Sequence, residues 1–132
     1  MKKPVLVSAC LLGNPCRYNG EALDPREIPI SAERIIPVCP EELGGLITPR
    51  EASFFDAETT GAGVWKNTAR VITAHGQDRT DAFRLGAEKT LAIARATGAQ
   101  TAYLKERSPS CGSCVVYHGE TRIPGKGVTT VL

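Results

Sequence analysis

Short apolar runs that stop on a cysteine and a turn set the tightest limit on how this chain folds. PVLVSAC (residues 4–10) and RIIPVC (34–39) are dominated by β-branched and aliphatic residues with no regular polar alternation. That is the pattern of a strand buried on both faces in a parallel sheet. LLGNP follows the first run and Pro40 the second, so Cys10 and Cys39 each stand where a strand gives way to a turn. RVITA (70–74) and TAYLKE (101–106) read as two further strands, and CVVYHG (114–119) as a later, shorter one. The segment RTDAFRLGAEKTLAIARATG (79–98) carries the clearest helical signal. Asp78 or Thr80 can cap its start, Phe83, Ala87, Leu91 and Ala94 form an apolar stripe, and Gly98 marks its end. GGLITPREASFFDAETTGAGVW (44–65) lacks periodicity and is expected to be a long loop. The alternation predicts an α/β fold: one domain spanning residues 1–132, with a mostly parallel sheet flanked by helices in a Rossmann-like, three-layer arrangement.

Charge and composition narrow the classes of partner. Sixteen basic and fourteen acidic residues are mixed along the chain, and no basic run follows a phosphate backbone or an anionic surface. A nucleic acid polymer and a membrane are therefore not expected as partners. The start, MKKPVLVSACLLG, reads as a first strand rather than a signal peptide, and no apolar stretch is long enough for a span. A cytoplasmic protein is expected. Five cysteines are an odd number, and a reducing compartment disfavours a disulfide framework.

The cysteines call for another use. Buried cysteine often acts as a small hydrophobe, but Cys10, Cys39 and Cys111 all lie beside turn residues beyond the ends of expected strands. In an open parallel sheet those ends share one edge, where ligands bind. Three thiols remote in sequence are thus expected to converge there. Cys111 and Cys114 form the one C-x-x-C pair, a weak zinc signal without a second pair. VVYHG follows that pair, where a thioredoxin-like motif would open a helix. Soft thiolates at irregular spacing suit an iron–sulfur cluster better. Three such ligands on a four-iron cluster leave one iron open to act as a Lewis acid. A non-catalytic metal-binding or redox-sensing module, built on Cys111 and Cys114 with Cys10 or Cys39, is the alternative.

The motifs VSACLLG and CRYNG, then PVCPEELGGLITPR, then LKERSPSCG with a following Tyr117-His118-Gly119 and GKGVTT, together resemble the thiouracil desulfidase family. The resemblance runs from Val7 nearly to the C-terminus. It implies an enzyme that converts the thiocarbonyl of a thiolated uracil-type base, free or as a nucleoside, to a carbonyl with release of sulfide. It also implies a 4Fe-4S cluster held by Cys10, Cys39 and Cys111 with one open iron. By the same resemblance Glu41, in CPE, is the general base, and Ser108, opening SPSCG, relays a proton or holds the tetrahedral intermediate. Asn19 and His118 stand where the family pattern has aspartate, Cys114 where it has glycine, and EASFFDAE replaces a proline-rich stretch. Arg50 is a candidate for the pocket wall, Lys105 and Arg107 for attracting an anionic intermediate, and Trp65 for core or lid. His75 is expected to be structural or exposed, and Cys16 to lie near the cluster without binding it.

Overall fold

The computed structural model describes residues 3–12, 30–56, 61–104, 110, 115–118, 121–124 and 127–130. Strand β1 (Val5–Ser8) is buried along its whole length, as its apolar run requires. It lies at the centre of a three-stranded parallel sheet between β2 (Ile35–Val38) and β5 (Thr101–Tyr103). Val5 is in register with Ile35 and Thr101, and Ser8 with Val38, so the carboxyl ends of β1 and β2 finish level with each other.

A second, four-stranded sheet has the order β4-β3-β6-β7, with β3 Ser53–Phe55, β4 Val71–Thr73, β6 Val115–His118 and β7 Thr121–Pro124. Strand β3 pairs parallel with β6 and antiparallel with β4, and β6 pairs antiparallel with β7. The architecture is α/β, with parallel strands flanked by helices, and this second sheet adds a mixed component to it. Only two residues separate β6 from β7, and a parallel crossover needs a dozen or more.

The stretch 44–65 is not the continuous loop expected of it: it contains β3 and helix α2 (Gly61–Trp65). Two of its glycines, Gly44 and Gly61, are sites of close backbone contact, whereas Gly45 is a turn glycine at φ 93° with open space around it. A Cβ on Gly61 would lie 2.3 Å from the carbonyl carbon and oxygen of Gly127, so only glycine lets the two segments meet. Phe55 and Val64 from this stretch are fully buried, in one core with Ala69, Val71, Phe83, Ala87 and Val128. Trp65 packs on that core, and its indole Nε1 donates to the Val128 carbonyl at 2.8 Å.

Helix α3 (Thr80–Thr97) follows the expected stripe, with Phe83 and Ala87 buried and Leu91 and Ala94 half-buried. Asp78 Oδ1 accepts the Thr80 amide at 2.8 Å, and the Thr80 hydroxyl accepts the Val71 amide at 2.9 Å, which ties the helix start to β4. Gly98 ends the helix in the left-handed conformation at φ 78°. Among the described residues no helix is long and apolar enough to cross a membrane.

Candidate functional site

Beyond β1 the chain makes a single 3₁₀ turn, Ala9–Leu12, and Cys10 is buried on it. Beyond β2, Cys39 is the N-cap of the short helix α1 (Pro40–Leu43), in extended backbone conformation. Pro40 favours the helix start because its fixed φ suits the first turn, where the missing amide has no helical partner anyway. Cys39 is half-buried and packs against the cluster of Ala9 and Cys10, together with Leu11. The level strand ends thus bring two of the three expected thiols into one apolar cluster at the carboxyl edge. Among the described residues no group of three or more metal-ligating side chains gathers. Cys111, Ser108, Cys114, Cys16, Asn19, Lys105 and Arg107 lie outside the described residues, as does the side chain of His118.

Helix α1 is seated by close backbone packing. A Cβ on Gly86 of α3 would lie 1.8 Å from the Pro40 carbonyl oxygen, and one on Gly44 would lie 2.0 Å from the Ala82 carbonyl oxygen. Two glycines, one from each segment, therefore let the turn carrying Cys39 and Glu41 rest directly on the α3 backbone.

Glu41 stands in the first turn of α1, and its carboxylate is paired rather than solvated. Arg50 Nε donates to Glu41 Oε1 at 3.1 Å, and the two side chains are 3% and 17% exposed respectively. Arg50 Nη1 also donates to Thr48 Oγ1 at 2.8 Å and to the Ile47 carbonyl at 3.2 Å. The Thr48 hydroxyl in turn donates to Glu42 Oε2 at 2.6 Å, and the Leu46 amide to the Glu41 carbonyl at 3.1 Å. The 46–50 loop, which includes a cis Thr48-Pro49 peptide, is thereby laced back onto α1. Arg50 was expected at the pocket wall; its pairing with Glu41 had no cue in the spacing, since the partners are nine residues apart across a loop.

From the SPSCGSC bend, Ser110 is described and fully buried. Its hydroxyl lies 2.9 Å from Thr129 Oγ1, and its carbonyl accepts the Thr129 amide at 2.9 Å. The residue preceding Cys111 is thus anchored to the 128–130 turn, which also accepts the Trp65 indole N–H at the Val128 carbonyl. His75 is exposed on the turn after β4 and pairs through Nδ1 with Glu51. Burial alone would raise the Glu51 carboxyl, but hydrogen bonds from His75, its charge and a contact from Thr73 outweigh that and hold it below its ordinary value.

A paired thiol cluster in an apolar surround suits a soft inorganic centre, since thiolates select iron–sulfur clusters and an apolar shell limits solvent access. Residues 5–132 match the profile of the 2-thiouracil desulfurase family. The chain is 43% identical over 133 residues to YbbK of Bacillus subtilis strain 168, an uncharacterized protein, covering 97% of this chain and 87% of that one. It is also similar to a solved structure of the 4Fe-4S-dependent thiouracil desulfidase TudS, with a TM-score of 0.80 and 38% identity over 98% of this chain and 83% of that one.

Proposed function

The chain belongs to the 2-thiouracil desulfurase family, and from that premise we propose that it hydrolyses the thiocarbonyl of a thiolated uracil-type base to a carbonyl and sulfide. The observation that carries the reading is the meeting of Cys10 and Cys39 at the sheet edge, with Glu41 held in the next turn of chain. Cys10, Cys39 and Cys111 would hold a 4Fe-4S cluster. When bound, that cluster supplies a Lewis-acidic iron suited to a soft thiocarbonyl sulfur.

The remaining work falls to the protein's own residues. Glu41, close in sequence to the ligand Cys39, takes a proton from the water that attacks the ring carbon. Its Oε1 is occupied by Arg50, while among the described residues Oε2 has no hydrogen-bond partner, which suits it to receive that proton. Ser108 relays a proton or steadies the tetrahedral intermediate. As the carbonyl forms, the carbon–sulfur bond breaks and sulfide leaves with the protons it needs. No net oxidation or reduction occurs.

The test is anaerobic reconstitution with iron and sulfide, followed by a sulfide-release assay on a panel of thiolated bases and nucleosides. A brown, iron-loaded protein that releases sulfide from thiouracil is the expected result. A colourless protein holding stoichiometric zinc and releasing none would replace this reading with a non-catalytic metal-binding module.

A further inference from the structure

An arginine side chain with 3% exposure is uncommon, because a guanidinium leaves water only where its donors are met. Arg50 meets that condition by reaching three acceptors within the 41–50 stretch: Glu41 Oε1, Thr48 Oγ1 and the Ile47 carbonyl. Two of those acceptors belong to its own loop. The guanidinium is therefore fixed in place before it meets Glu41, and the carboxylate is the member it orients. Glu41 is further held through its backbone, since its carbonyl accepts the Leu46 amide from the same loop.

We propose that Arg50 is the positioning residue for Glu41, pinning Oε1 so that Oε2 is the oxygen presented to the attacking water; this rests on Glu41 being the base. Arg50 acts through Glu41 and not on the substrate. Lysine is a poor replacement, because a single ammonium cannot reproduce a planar fork that bonds to Glu41 through Nε and to the loop through Nη1. Pinning matters for rate, because misplacement of a reacting group by about 1 Å costs on the order of 10²-fold.

The test is a double-mutant cycle in the reconstituted holoenzyme. Arg50→Lys and Arg50→Met are each made in the parent and in Glu41→Gln, with iron per chain, kcat and KM measured for every variant. In the parental background both should keep near-parental iron and KM while kcat falls by about 10- to 10²-fold. In the Glu41→Gln background the same changes should cost less than about 3-fold, since the group they act through is already gone. Arg50→Lys carries the test if Arg50→Met does not fold. Equal losses in both backgrounds, parental kcat in both Arg50 variants, or loss of iron from both would each overturn the proposal. Near-parental turnover by Glu41→Gln alone would bring down the base and the clamp with it. A crippled Glu41→Gln with additive Arg50 losses would bring down the clamp only.

Discussion

Replacing Gly86 with alanine, inside α3 and far in sequence from any cysteine, should damage the cysteine site. Helix propensity argues for the opposite sign, because alanine is favoured over glycine by about 1 kcal/mol in a helix interior. The packing outweighs it. The new Cβ would lie 1.8 Å from the Pro40 carbonyl oxygen, 2.8 Å from its carbon and 3.2 Å from the Gly44 nitrogen, all backbone atoms that no rotamer change can move. Bringing the oxygen out to the shortest tolerable contact needs a displacement of about 1.2 Å, and overpacking of this kind costs about 1–3 kcal/mol. With the upper end expected against backbone, the net loss is about 2 kcal/mol. The displaced segment is the first turn of α1, with Cys39 at its cap and Glu41 within it, and a shift of that size exceeds the roughly 0.2 Å within which the ligand distances of a proposed metal site are required to fall. Urea unfolding of the apo-protein, with iron content and turnover after reconstitution, reads all three effects. A Gly86→Ala protein as stable as the parent, or more so, with full iron would refute the claim that backbone contact seats the site.

Three further outcomes follow from the same account. Glu41→Gln should keep a full complement of iron yet release sulfide about 10²- to 10⁴-fold more slowly, the range for a general base; parental turnover would move the role to Glu42. Cys10→Ser, Cys39→Ser and Cys111→Ser should each lose iron and acid-labile sulfide, whereas Cys16→Ser and Cys114→Ser should keep both; iron lost from Cys114→Ser and retained by Cys111→Ser would exchange that pair. For Asp78, burial alone would raise the carboxyl, but hydrogen bonds from Thr80 and the charge of Arg70 hold it below its ordinary 3.8. A depressed carboxyl stabilises the fold above its unfolded value and loses that contribution as acid protonates it, so Asp78→Asn should flatten the fall in stability below about pH 4 in acid titrations followed by circular dichroism.

The parallel strands and the long helix were legible because their signals are local. Val5–Val7 and Ile35–Val38 are apolar runs, although only β1 is buried along its length while β2, expected to be buried on both faces, is buried only at Val38, and α3 pairs a sustained stripe with a glycine stop. The meeting of Cys10 and Cys39 followed from the same reasoning, since parallel strands in register must finish on one edge. What the sequence hid depends on contacts between segments. Strand β3 is only three residues long and helix α2 is short and glycine-rich, and they exist because Phe55 fills the core and Gly61 meets Gly127, neither of which has a periodic signature. The Arg50–Glu41 pair was hidden for the same reason, as the partners face each other only once the 46–50 loop folds back. Gly86 reads as a blemish in a helix until Pro40 is found against it.

The most direct test of hydrolytic desulfuration is to follow the oxygen. Anaerobically reconstituted protein, turned over on 2-thiouracil in ¹⁸O-enriched water, should yield sulfide and uracil in equal amounts, with the label at the carbon that carried sulfur. Unlabelled uracil, or iron-loaded protein that leaves the thiocarbonyl intact, would contradict the account.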